Sequence, residues 1–230
     1  KTRVFISGFT GSAGAVLVTK DKAFLWTDGR YFLQAEKELK GSGILLQKSG
    51  EPNVPTVFEY LAQTLPAGST IGMDGKVMAL NSFAQFNSSL PDMKFVIDRD
   101  LIGEMWTDRP APVLSAAFLL DVRYTGKSAS EKIKEVRAAL REKKAEATVI
   151  GALEDVCYLF NIRGNDIECT PVVTAYALVD MQSARLYIDA RQMTDEVKAA
   201  LEKEGVSVAP YEAVFTDAEK LQGTVYLDPA

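Results

Sequence analysis

Residues 15–30, AVLVTKDKAFLWTDGR, find a gapless match in residues 176–191, YALVDMQSARLYIDAR. Identities fall at Leu17/Leu178, Val18/Val179, Ala23/Ala184, Leu25/Leu186, Asp28/Asp189 and Arg30/Arg191. In each copy two short apolar runs flank a polar turn, Lys20-Asp21-Lys22 in the first, and an Asp-x-Arg closes the second run. Such runs around a polar turn read as the two strands of a hairpin. Upstream, Ile6-Ser7-Gly8 pairs with Ile162-Arg163-Gly164; downstream, Thr70-Ile71-Gly72-Met73-Asp74 pairs with Thr224-Val225-Tyr226-Leu227-Asp228. A spacing this long lies far beyond the roughly 20–50 residues of solenoids and propellers. It predicts two tandem domains of one fold.

The rest of the chain fills in an α/β pattern. After the hairpin of copy one, Asp28 is placed to cap a helix over residues 30–39, ended by Gly41-Ser42-Gly43. A strand over 44–47, a helix over 54–65, a strand over 70–73, a helix over 80–90 and a strand over 94–97 follow. Strands alternating with helices of this length predict a mixed β-sheet flanked by helices in each domain. Pro110 and Pro112 mark residues 110–126 as a linker, giving a first domain over 1–109 and a second over 127–230. Ser128-x-x-Glu131 opens a helix as a capping box, with Ile133, Val136 and Leu140 as its buried stripe. Copy two carries helix-strand-helix character from Ser128 to Phe160 ahead of its Ile-x-Gly, whereas copy one has only Lys1 to Phe5 there. Copy one runs on past its Thr-x-x-x-Asp, and copy two stops shortly after it. The expectation is a piece of a longer protein, its first domain missing its start and its second missing its end.

Composition narrows the function. Forty-seven per cent of residues are apolar and 25% charged, ordinary values for a globular protein. A net charge of −5, with no basic run interleaved with aromatics, argues against nucleic acid and against an anionic membrane surface. No apolar stretch approaches the roughly 20 residues needed to span a bilayer. Cys157 and Cys169 lack zinc or Cys-x-x-Cys spacing and read as reduced, buried or half-buried thiols. The chain has no histidine, which excludes Ser-His-Asp and Cys-His catalysis and any histidine metal ligand. The carboxylate clusters Glu154-Asp155 and Asp166-x-Glu168 read as solvated or capping charges.

Four motifs in order resemble the three-domain form of aminopeptidase P, the Xaa-Pro aminopeptidases of the creatinase/prolidase group: SGFTGSAG at 7–14, WTDGRYFLQAE at 26–36, WTDRP at 106–110 and YLFNIRGND at 158–166. The likeness runs essentially from end to end. It implies two creatinase-type N-terminal domains, with the catalytic pita-bread domain absent from this chain. The resemblance further implies a parent enzyme that removes the residue preceding proline, using two divalent ions, usually manganese, held in the missing domain by Asp, His and Glu. A metal-bridging hydroxide would attack the Xaa-Pro carbonyl there. Cytoplasmic location, a homodimer, and short peptides with proline at position two as substrates are likewise implied. This chain would then carry no catalytic residue, bind no metal or other cofactor, and partner the C-terminal catalytic domain. A free-standing two-domain protein that binds a small ligand or regulates is the alternative; a creatinase or prolidase is disfavoured because those typically carry one N-terminal domain.

Within the first domain, Gly8-Phe9-Thr10-Gly11-Ser12-Ala13-Gly14 leads into a β-branched strand rather than a helix. A phosphate cradle needs the opposite order, so the loop reads as a tight turn. Asp28-Gly29-Arg30-Tyr31 reads two ways. The Asp-x-Arg recurs in copy two and so can pin a strand-to-helix junction; Gly29 and Tyr31 belong to copy one alone. Because the family's N-terminal domain overhangs the active-site cleft, the resemblance makes Arg30, Tyr31 and Phe9 candidate substrate contacts, with the guanidinium suited to a peptide carbonyl or terminal carboxylate. Trp26 and Trp106 read as core or interdomain anchors.

Overall fold

A computed structural model of the chain describes residues 2–228. They form two compact units, residues 2–110 and 111–228.

The first unit opens with helix α1 (Thr2–Ser7), closed by Gly8 at φ 70°, a left-handed conformation that glycine reaches without steric cost. Strands β1 (Ala15–Val18) and β2 (Ala23–Thr27) pair antiparallel, with Ala15 opposite Trp26 and Val18 opposite Ala23. Helix α2 (Phe32–Glu38) then returns the chain to β3 (Ile44–Lys48), parallel to β2. Helix α3 (Val57–Thr64) starts three residues later than the apolar pattern suggests. Pro55 disfavours helical backbone at its neighbour Val54. Thr56 and Glu59 then form a capping box that fixes the true start. Strand β4 (Thr70–Gly72), helix α4 (Leu80–Ser89) and strand β5 (Lys94–Val96), parallel to β4, complete the expected series. A short helix α5 (Leu101–Met105), absent from the expected series, follows and is capped by the Asp100 carboxylate on Gly103 N–H.

Its five strands form two separate ladders, β3-β2-β1 and β4-β5. The core is split in the same way. One cluster holds Phe9, Leu25, Ala35 and Leu39; the other holds Leu61, Ile71 and Leu90, with Leu17 of β1 packed against it. Trp26 is buried and donates its indole N–H to the Pro55 carbonyl at 2.7 Å, while Trp106 stacks on Phe5 at 4.2 Å.

The second unit begins within the stretch read from sequence as a linker. Ala117 is buried, β6 (Phe118–Leu119) pairs with β8 (Ile162–Arg163), and α6 (Val122–Thr125) follows. Helix α7 (Ala129–Glu142) carries the expected Ser128/Glu131 capping box and buries Ile133 and Leu140, with Val136 packed beside them. Strand β7 (Ala147–Ile150), helix α8 (Leu153–Phe160), β8, strands β9 (Ala175–Asp180) and β10 (Ala184–Ile188), helix α9 (Asp195–Lys203), strand β11 (Ser207–Pro210), helix α10 (Ala213–Glu219) and strand β12 (Val225–Leu227) follow. Five of these strands make one mixed sheet in the order β11-β10-β9-β7-β12. One continuous apolar cluster, from Ile133 through Val156, Phe160, Val179 and Leu186 to Leu201, packs against it. Each large aliphatic side chain so buried contributes about 1.5–3 kcal/mol.

Overlaying the units by element order shifts one part of the internal alignment. Ile6 and Ser7 are helical, whereas Ile162 and Arg163 form a strand. The equivalent of Gly8 is Asn161 (φ 55°), left-handed at the end of α8 as Gly8 is at the end of α1. Phe9 then matches Ile162, both fully buried, and Gly11 matches Gly164. The longer connection over residues 165–174 of the second unit disguised this register. The thiols also differ: Cys157 is buried, and burial pushes its pKa up, whereas Cys169 is exposed.

Candidate functional site

The turn from β2 into α2 and the glycine loop that folds over it gather the polar groups singled out in the first unit. Asp28 is extended (φ −90°, ψ 172°) and its carboxylate accepts the Arg30 backbone N–H at 3.1 Å, opening a single 3-10 turn over Gly29–Tyr31. The same carboxylate takes a two-pronged grip from the Arg30 side chain, Nε to Oδ1 at 2.9 Å and Nη2 to Oδ2 at 2.8 Å. These bonds hold the Asp28 carboxyl below the usual range and raise the Arg30 pKa further. Arg30 nevertheless stays two-thirds exposed, lying 5.1 Å over the Tyr31 ring. A guanidinium has five N–H donors, and Asp28 occupies two of them. The remaining three face away from that grip and can bind an acceptor such as a carbonyl or carboxylate.

Tyr31 is tied to the loop by a 2.6 Å hydrogen bond between its hydroxyl and the Ser12 hydroxyl. Hydrogen bonding to Ser12 draws the phenol below its usual pKa, with the Arg30 charge acting in the same direction. Phe9 meets the Tyr31 ring edge-on at 6.0 Å. With no surface exposed, Phe9 is a support for Tyr31 rather than a contact surface of its own. Gly11 fits between the two rings: a Cβ there would collide with Phe9 and lie 2.9 Å from Tyr31 Cδ1. Arg3 reaches back to donate to the Gly11 and Gly14 carbonyls. Helix α2 clasps the near side of the loop, because the Glu38 carboxylate accepts Thr10 N–H at 2.9 Å and its hydroxyl at 2.6 Å, and Gln34 donates to both residues. Arg30, Tyr31 and Phe9 therefore do converge, two at the surface and one beneath. Ser12, Thr10 and Glu38, which hold the loop in place, had no signal in the sequence beyond proximity to glycines.

The second unit repeats the motif beside a buried neighbour. Asp189 and Arg191 repeat the grip at 2.9 and 2.7 Å, and Asp189 also caps the Arg191 N–H. The residue after the arginine is now Gln192, buried, donating to the Ser115 carbonyl and to Asp166. Asp166 in turn accepts from the Ser115 and Thr174 backbones. Asp166 is thus a half-buried structural hub rather than a solvated or helix-capping charge. Lys132, also buried, donates to the Tyr158 carbonyl and to Asn161 at 2.7 and 2.6 Å and sits over the Tyr158 ring.

Among the described residues no three His, Cys, Asp or Glu side chains gather as a metal site requires, and no helix is long and apolar enough to cross a membrane.

Comparison with known proteins matches both units to creatinase/prolidase N-terminal domain models, residues 1–104 to one and 108–230 to another. A probable Xaa-Pro aminopeptidase P from Laccaria bicolor is 42% identical over 99% of this chain and 36% of its own length. Aminopeptidase P1 of Lotus japonicus is 38% identical over 96% of the chain and 34% of its own. The chain thus spans about a third of the length of the curated relatives it matches. Among solved structures, an X-prolyl aminopeptidase from Caenorhabditis elegans, described as a cytosolic enzyme with a di-nuclear active site, superposes with a TM-score of 0.92 at 36% identity, covering 99% of this chain and 39% of that one.

Proposed function

Because the chain belongs to the creatinase/prolidase N-terminal domain family, we propose that it is the non-catalytic N-terminal region of a metal-dependent Xaa-Pro aminopeptidase. The parent enzyme removes the residue preceding proline from short peptides, in the cytoplasm and as a homodimer, with two manganese or similar ions held by a further domain. This region shapes the cleft of that domain and the assembly of the enzyme. Support for the peptidase comes from relatives of that name over nearly the whole chain, and from a superposable structure of an X-prolyl aminopeptidase. For the non-catalytic role, the carrying observation is chemical. There is no histidine, and Asp28, Asp166 and Asp189 are spent on grips and hubs within each unit.

Arg30 and Tyr31 are the contribution of this region to substrate binding. Asp28 fixes the guanidinium without neutralising its free donors, and Ser12 fixes the phenol beside it. A positively charged, pre-oriented donor set suits the backbone carbonyl or terminal carboxylate of residues beyond the proline. Phe9 acts through Tyr31. In the complete enzyme, Arg30→Ala should raise KM about 10-fold or more for peptides extending past proline, in line with the roughly 1.5–3 kcal/mol of a hydrogen bond to a charged group. An Xaa-Pro dipeptide should be cleaved as before. Equal loss for the dipeptide, or no loss for either, contradicts the assignment.

A further inference from the structure

Helix α2 turns Ala35 and Leu39 inward, where both are buried, yet it leaves Leu33 in its first turn 75% exposed. The second unit holds polar residues at this place. Its register sets Arg185 opposite Ser207 as the first unit sets Phe24 opposite Leu45, so the left-handed Gly43 matches Gly205. Counting back, Leu39 matches Leu201 and Ala35 matches Val197, all four buried. Leu33 then falls on Asp195, or on Thr194 when counted forward from Arg191, and both of these are exposed. Thr194 caps α9 and Asp195 sits in its first turn, where a carboxylate suits the helix dipole. Leu33 forgoes that gain for an apolar side chain held in water.

The position of Leu33 ties it to the guanidinium. It follows Arg30 by three residues, and residues three apart share a face in a 3-10 turn and in an α-helix, with Cβ atoms about 5–6 Å apart. Lys37, also exposed, continues that face one turn further. An apolar side chain therefore stands between two positive charges, one of which keeps three unused N–H donors.

We infer that Leu33 is a specificity-determining residue, selecting peptides in which the residue after proline is C-terminal and apolar. Its carboxylate takes the free donors of Arg30 and its side chain lies on Leu33. In a C-terminal residue both groups branch from one Cα, so a single residue spans two contacts this close. Leucine or phenylalanine there removes apolar surface from water on both partners, whereas a serine set against Leu33 loses water without gaining a partner. The inference rests on the reading of Arg30 as a substrate contact and names the substrate class which that contact selects.

The test uses the complete enzyme with Arg-Pro-Leu, Arg-Pro-Ser and the amide of Arg-Pro-Leu. The ratio of kcat/KM for Arg-Pro-Leu to that for Arg-Pro-Ser should be about 10, as expected for moving a leucine side chain onto apolar surface. Leu33→Ser should abolish the preference, and Leu33→Met should keep it. No preference in the parent enzyme overturns the inference. So does a ratio that survives Leu33→Ser, including an equal loss on both peptides, since Leu33 would then act only through structure. Arg30 is judged on the amide: the acid should be the better substrate, and Arg30→Ala should remove that advantage. Should the advantage behave so while the leucine preference survives Leu33→Ser, the Arg30 reading stands and this inference fails. An acid no better than its amide overturns both.

Discussion

At the scale of single residues, the repeated Asp-x-Arg has one shared structural duty and, in the first unit, a proposed functional one. Both copies form the same grip, so its shared purpose is to fix the turn after β2 and after β10. The neighbours decide the rest: Tyr31 keeps Arg30 company at the surface, whereas Gln192 buries itself against Asp166. The grip also has a pH signature. Hydrogen bonding and the charge of Arg191 lower the Asp189 pKa from 3.8 to about 2. A carboxylate depressed on folding adds stability that is complete above its ordinary value and fades as pH drops toward the folded one. The gap in urea midpoint between the parent chain and Asp189→Asn should therefore be constant at pH 5–7, shrink below about pH 4 and close near pH 2. A gap independent of pH would show that Asp189 acts only through its cap, without charge.

At the scale of elements, what decided legibility was whether the signal was local. The β1–β2 hairpin was readable because apolar runs flank a polar turn, and α7 because Ser128-x-x-Glu131 precedes a helical stripe. Ser128→Ala should lower stability by about 1 kcal/mol, within the range for lost N-caps, as measured by denaturant unfolding of the second unit. An unchanged midpoint would mean the box contributes nothing. The start of α3 was misplaced since Val54 continues the apolar pattern while Pro55 quietly forbids it. Helix α1 passed unnoticed for want of a cap signal; α5 did so although Asp100 supplies one. In the site, Arg30 was found through repetition, but Ser12 and Glu38 act through the folding of the glycine loop onto Tyr31 and α2, a tertiary event with no sequence period. Two prolines mark residues 110–126 as a linker, whereas Ser115 and Ala117 tie that stretch to Asp166 and Gln192 over long sequence separations.

At the scale of the whole molecule, the duplication carries most of the argument. It predicts one fold twice and shows that one copy of Asp-x-Arg has an aromatic partner at the surface. Among the described residues neither unit gathers three His, Cys, Asp or Glu side chains. The direct measurement is release of arginine from Arg-Pro-Pro, with manganese, by residues 1–230 and by the complete encoded polypeptide side by side. Turnover by the complete protein and none by residues 1–230 is the predicted result; turnover by residues 1–230, or by neither, would contradict it.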